Sequence, residues 1–454
     1  MYKTTKIIIV LFLTIFVAKN IFATTNYVSK SGAHISPFSS LANAATNIQA
    51  AVDVASSGDT VFVNDGTYSP ASEITITNDI TVKSINGAPK TIINGRGTNR
   101  CFFTGYVNHI IDGFTVSNGF DSFSGGGIYA EKGIVQNCII VDNLCAYQGG
   151  GIYCFETVIK SCTVTKNTAA GSSGSGGGVS CDSGIITNCI ITDNYALSDG
   201  GGVSCSDGLV VDCIVNGNSV SEDVGGGIDA TQSTIKNCTV IGNLTAVDGG
   251  GIAFSRSTVE NCLVSKNSAT NSDSFGGGIY GFRGFVRNCL ITENFSQYNG
   301  GGLHIDSCNA DSCTIVSNSA IHRGGGVFCR KGMIENSILW NNTNNCYFYS
   351  SGTNRYNCIQ NWTNIVNGII TNNPNFADAD AGNFKLSVLS PCINSGTNMD
   401  WMAGATDLAG NQRIYDGTVD MGCYEFVPEP CSFIIYNLLI VIYYRGRKSI
   451  LITK

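Results

Sequence analysis

The stretch 125–151, GGGIYAEKGIVQNCIIVDNLCAYQGGG, begins and ends on the same Gly triplet, and the chain repeats it. Triplets start at Gly125, Gly149, Gly176, Gly200, Gly225, Gly249, Gly276, Gly300 and Gly324, in steps of 24, 27, 24, 25, 24, 27, 24 and 24 residues. Thirteen residues after each start comes Cys138, Cys162, Cys189, Cys213, Cys238, Cys262, Cys289 or Cys313, with Ser337 ending the series. Eighteen residues after each start comes an Asn: Asn143, Asn167, Asn194, Asn218, Asn243, Asn267, Asn294, Asn318 and Asn342. Three ladders on one set of steps define a repeat, the signature of a solenoid.

A unit of about 24 residues is too short for two amphipathic helices, and between triplets lie short runs of Ile, Val, Thr and Cys. The period predicts an all-β, single-stranded right-handed parallel β-helix. Coils stack at about 4.8 Å, so residues one period apart lie above one another. Stacked Asn amides can donate to one neighbour and accept from the other. The triplets supply positive φ and close approach. The three-residue excess belongs in the small polar loops 169–175 and 269–275. Alternation along a strand puts the aliphatic series from Ile128 to Val327 inward. The residue after each then faces out: Tyr129, Tyr153, Ser180, Ser204, Asp229, Ala253, Tyr280, His304 and Phe328.

Composition agrees. The chain has 454 residues, 55 Gly and 20 Cys, only 13% charged residues and a net charge of −7. Low charge with many β-branched residues excludes a disordered chain, and the acidic balance without Lys/Arg runs excludes a nucleic-acid surface. Lys3, Lys6 and the apolar run 7–18 read as an export signal ending near Ala23. Residues 47–55, with Ile48, Ala51, Val52 and Ala55 at helical spacing, predict a capping helix. Asn118, 25 residues before Asn143, is expected to extend the Asn ladder. The chain divides into 1–23 signal, 24–345 β-helix, 346–426 a region closing the far end, and 427–454 a tail.

Several stretches resemble known families. YVSKSGAHISPFSS (27–40) with NIQAAVDVASSGDTVFVNDGTY (47–68) resembles the opening of pectate-lyase-like β-helix proteins. VSKNSATNSDSFGGGIY (264–280) is similar to the repeats of polymorphic outer-membrane proteins, with Cys where those carry Phe. The stretch 390–426 resembles the choice-of-anchor Q domain, and Asp407, Gly410, Arg413, Asp420, Gly422 and Glu425 fall on its pattern. Cys392 and Cys423 depart from that pattern and are a candidate disulfide in an oxidising compartment. Val427, Pro428, Glu429 and Pro430, then the apolar run 431–444 and Arg445-Gly446-Arg447-Lys448, resemble a PEP-CTERM sorting signal. That resemblance implies exosortase-type sorting machinery, membrane association only through the unprocessed tail, and delivery to the surface, outer envelope or extracellular matrix of a Gram-negative-type bacterium. The 14-residue apolar run, with Asn437 inside it, is short for a membrane span.

Chemistry is sparse. Pectinolytic β-helices use grouped carboxylates, and Asp142, Asp193 and Glu293 do not fall on neighbouring coils. There is no Cys-x-x-Cys, and His34, His109, His304 and His322 are isolated, so no catalytic group, metal site or cofactor is expected. The Cys ladder reads as small buried hydrophobes. The outward aromatics Tyr129, Tyr153, Tyr280, His304 and Phe328 are the candidate ligand-binding residues, for a glycan or surface partner. The sequence therefore predicts a non-enzymatic exported rod, an adhesin or exopolysaccharide-associated scaffold. The alternative is a secreted lyase or hydrolase of acidic polysaccharides.

Overall fold

The computed structural model describes residues 23–428. The export signal, Glu429, Pro430 and the remaining tail lie outside the described residues. The chain winds into a parallel β-helix whose coils contribute to sheets of 20, 13 and 9 strands. Parallel crossovers of L-residues wind right-handed. Register follows the ladders: Ile128 pairs with Ile152, Ile152 with Val179, and Val179 with Val203. The 27-residue step arises where Cys145 is still 24 residues from Ala169 but Gln148 is bridged to Ser175. The extra residues therefore sit between Ala169 and Ser175, as the small polar loop suggests.

Each coil turns at three residues in the left-handed region, five positions apart. In one coil these are Lys132, Asn137 and Asp142, and in the next Glu156, Ser161 and Lys166. Asn, Asp and Ser recur at these corners because short polar side chains tolerate that backbone best. Between corners, alternation sends one column inward at a time, giving a continuous apolar core from Val28 to Ile369.

The Gly triplet has more than one cause. At the 149–151 turn Gly149 has φ of 68°. A Cβ on Gly150 would lie 2.4 Å from the Thr168 carbonyl oxygen, and one on Gly151 would lie 2.9 Å from the Asn167 amide carbon. Only the first glycine is demanded by φ; the second and third are demanded by crowding against the coil and the Asn column.

That column is a hydrogen-bonded ladder. Asn143 Nδ2 donates to Asn167 Oδ1 at 2.9 Å, and Asn194 Nδ2 to Asn218 Oδ1 at 3.0 Å. The pattern runs to Asn318, which donates to Asn342, and Asn342 then donates to Asn345. Each Oδ1 also accepts the preceding rung's own backbone N–H, as Asn167 Oδ1 does from Asn143 N at 3.1 Å, so buried amides are satisfied on both sides. Asn118 is not a rung. It is exposed with φ of 49°, and Gly119 N donates to Asn143 Oδ1 in its place. A step of 25 put Asn118 one residue out of register.

The ends differ. At the start, a strand Thr25–Val28 pairs with Thr60–Val63, and helix α1 (Ile48–Val54) packs beside it, N-capped by Asn47 Oδ1 accepting from Ala50 N at 2.9 Å. The strand ahead of the helix is an addition to the sequence reading. At the other end the coil continues past 345. Cys346–Arg355 joins the large sheet and Cys358–Ile359 the 13-stranded one, with Ile369 and Trp362 against the core.

From about 371 the chain lies along the flank of the last coils instead of closing the end. Trp401 Nε1 donates to Asp311 Oδ2 at 2.7 Å, Asn288 Nδ2 to the Thr406 carbonyl, and Cys423 N to Thr314 Oγ1. Leu290 and Val316, which face out from the coils, are thereby buried with Phe384 and Cys423. The flank folds around Arg413, whose Nη1 meets Glu425 Oε1 at 2.6 Å with both side chains fully buried. Asp407 accepts the N–H groups of Ala409, Asn411 and Glu425. Cys392 and Cys423 are not bonded to each other: both are free buried thiols. Cys392 packs with Cys358 and Ile338, whereas Cys423 packs with Leu290 and Val316.

Candidate functional site

The column that follows the inward aliphatics lies on the solvent side of the large sheet, beside the Gly turns. Its members divide into three lengths, because neighbouring coils place like residues together.

The first length is aromatic. Phe103, Tyr129 and Tyr153 stack with ring centroids 5.1 and 4.9 Å apart and planes 20° and 28° apart. Rings stacked coil on coil occupy one another's faces, so this set presents edges to solvent. Arg100 lies beside it, with its guanidinium carbon 5.3 Å from the Tyr129 centroid. That guanidinium is fully engaged: Nη1 pairs with Glu73 and Nη2 with Asp121, each at 2.8 Å, and Nε donates to the Gly125 carbonyl. Tyr129 Oη in turn donates to Glu131.

The second length is small and acidic. Ser180, Ser204, Asp229 and Ala253 follow, and the turns beside them bring up Asp199, Asp223 and Asp248. Burial, then the charges of Asp199 and Asp223, push the Asp229 carboxyl up to about 7. Burial holds Asp248 at about 6, with Asp273 and Asp223 adding to the rise, although the Phe275 N–H opposes it. Sequence reasoning missed this group. Its members come from two columns, one just before the triplets and one four residues after a triplet start. Only the register of the coils shows that the two columns adjoin.

The third length is aromatic again, but open. Tyr280, His304, Phe328 and Tyr347 stack in series, with centroids 5.3, 4.9 and 5.4 Å apart. Phe275 lies against the His304 ring at 4.6 Å, and Tyr298 stacks on His322 with planes 3° apart. Together with Asn299, Asp306, Arg323, Arg330 and Tyr349, these rings other than Tyr347 line a cavity of about 300 Å³, at the lower end of ligand-pocket sizes. His304 is only 5% exposed, and its Nδ1 has no hydrogen-bond partner. Burial lowers its pKa to about 3, so the ring is neutral at ordinary pH. Arg330 is paired with Asp306 at 2.9 Å. Arg323 gives Nη1 to Tyr347 Oη at 2.9 Å and lies 4.6 Å from that ring's centroid.

The five residues singled out from the sequence thus lie in one column but in two settings. Tyr129 and Tyr153 are in the closed set, and Tyr280, His304 and Phe328 line the cavity. Outward direction did not mean exposure, since His304 and Phe328 are buried by the rings around them. Arg323, Arg330, Tyr298 and Tyr349 carried no signal in the ladders, because their positions vary in type from coil to coil. Among the described residues no group of three or more His, Cys, Asp or Glu is placed to hold a metal ion.

No family model matches the chain, and no curated protein matches it. Several solved structures are similar in coil architecture. Pectate lyase Pel9A has 14% identity and a TM-score of 0.44, over 90% of this chain and 98% of that one. XylC in complex with xylose has 9% identity and a TM-score of 0.49, over 89% and 99%. The A-module of mannuronan C-5 epimerase AlgE6 from Azotobacter vinelandii has 12% identity and a TM-score of 0.43, over 70% and 95%. At these levels the likeness carries nothing about activity, which has to be argued from the face itself.

Proposed function

We propose that this chain is an exported, non-enzymatic rod of the bacterial surface or extracellular matrix that holds glycan in the cavity around His304. The export signal and the tail resembling a sorting signal support the location. The observation that carries the binding reading is a cavity walled by aromatic rings beside an arginine that, among the described residues, no carboxylate neutralises. The edges of the stacked rings and the exposed ring of Tyr349 give the cavity an apolar wall suited to a sugar. The test is retention on an array of bacterial and plant polysaccharides. The Tyr280→Ala/Tyr349→Ala variant should lose retention while keeping its melting temperature within a few degrees; retention by the variant would refute the assignment to this cavity.

One observation favours a second reading, polysaccharide cleavage. A carboxyl held near 7 beside other carboxylates is what a general acid requires, and Asp229 is so held. Release of reducing ends or unsaturated sugars from acidic polysaccharides, lost in Asp229→Asn, would support cleavage. Its absence across such a panel would leave binding as the function.

A further inference from the structure

The cavity's charges say what kind of sugar it takes. We infer that Arg323 reads an anionic substituent, a carboxylate or sulfate on the bound sugar. This rests on the binding reading above and adds the ligand class. Among the described residues no carboxylate is paired with Arg323. Its side-chain partner is Tyr347, which takes one Nη1 proton and lies beneath the guanidinium. The rest of the planar fork is free, and such a fork matches carboxylate or sulfate oxygens two at a time.

The surrounding charges leave that fork uncompensated. Arg330 and Asp306 neutralise each other. His304 adds no charge, because burial keeps it neutral. Burial raises the Tyr280 hydroxyl, at the other end of the ring series from Arg323, and the negative charges of Asp248 and then Asp306 add to the rise. An anion is therefore drawn toward Arg323 and repelled from the acidic length, which fixes the direction of the bound unit along the rod. On a chain of net charge −7 this cation is a local reversal of sign. A neutral sugar would leave it unused.

The experiment measures binding of the mature, exported chain to polygalacturonate, a sulfated galactan and a neutral galactan, at low salt and at 0.5 M NaCl. One charge-assisted pair predicts about tenfold tighter binding of an acidic polymer than of the neutral one. High salt should remove most of that preference. The two acidic arms distinguish carboxylate from sulfate. Arg323→Gln should bring acidic binding down to the neutral level with an unchanged melting curve. Arg323→Lys, which keeps the charge without the fork, should fall between and serves if the first variant folds poorly. Equal binding of acidic and neutral polymers by the unaltered chain would overturn the inference and leave the binding reading standing. Failure of all three polymers, and of the wider array, would overturn both.

Discussion

The two aromatic lengths of the column are built from the same residue types at the same coil positions, yet one is closed and the other open. Around Tyr129 and Tyr153, Arg100 is held by Glu73, Asp121 and two turn carbonyls, so every charge is answered within the protein. Around His304, Arg323 meets only a phenol and an imidazole nitrogen meets nothing. Stacked rings by themselves do not mark a binding site, because parallel rings one coil apart use up their own faces. Unanswered polar groups beside the stack are the better sign.

If that contrast is right, perturbing the closed set should cost stability and perturbing the open set should cost binding. The largest effect is expected from Arg100→Met, which strands Glu73 and Asp121 beside a nearly buried site. Removing one partner of such a network should cost about 3 kcal/mol, read as a shift of the urea midpoint. A loss below about 0.5 kcal/mol would show that the first length is not a packed unit. Next comes Tyr129→Ala with Tyr153→Ala. Loss of two stacked, half-buried rings should cost about 2 kcal/mol and leave glycan retention intact. Loss of retention by a well-folded double variant would reverse the comparison and return the site to the first length.

The acidic stretch between them yields a pH prediction. Asp229 and Asp248 have folded values raised to about 7 and about 6. Between the ordinary carboxylate range and neutrality the folded chain therefore binds more protons than the unfolded one, and stability falls as pH rises through this window. Asp229→Asn should raise stability at pH 7.5 by roughly 1–2 kcal/mol and change it little at pH 4. A constant effect at both pH values would mean that folding does not raise the Asp229 carboxyl. The smallest expected effect on stability is that of Arg323→Met, within about 0.5 kcal/mol, since the group it removes has no ionic partner to strand. A loss as large as that of Arg100→Met would make Arg323 structural.

Much of the architecture was legible because the same chemistry recurs at fixed spacing. Asn143 to Asn342, the Cys column and the triplets each have one physical job per coil, so each job repeats and can be read. Even there the limit is one residue, as Asn118 and Gly119 show. The αL corners at positions such as Asn137 and Asp142 follow a five-residue spacing that was present in the sequence but concealed by mixed residue types. What did not repeat could not be read. The flank that buries Leu290 and Val316 depends on Trp401, Thr406 and Cys423, each used once. The acidic group depends on two columns becoming neighbours, and the cavity on residues chosen coil by coil. Candidate binding residues inferred from facing alone therefore fall in two settings, Tyr129 and Tyr153 in one and Tyr280, His304 and Phe328 in the other, which facing could not tell apart.

The Asn ladder carries one more implication. Each of its amide groups gives a proton forward, to the Asn oxygen of the coil after it, and a proton back, to a backbone carbonyl of the coil before it. Peeling a coil from the start frees Asn167 Oδ1 and an Asn167 Nδ2 proton, and peeling Asn342 from the finish frees the Asn318 N–H groups and the Ile315 carbonyl, so either end exposes both kinds of unmet group. The ladder is thus a zipper without a preferred pull: loosening a coil costs the same two kinds of bond whichever end gives way first.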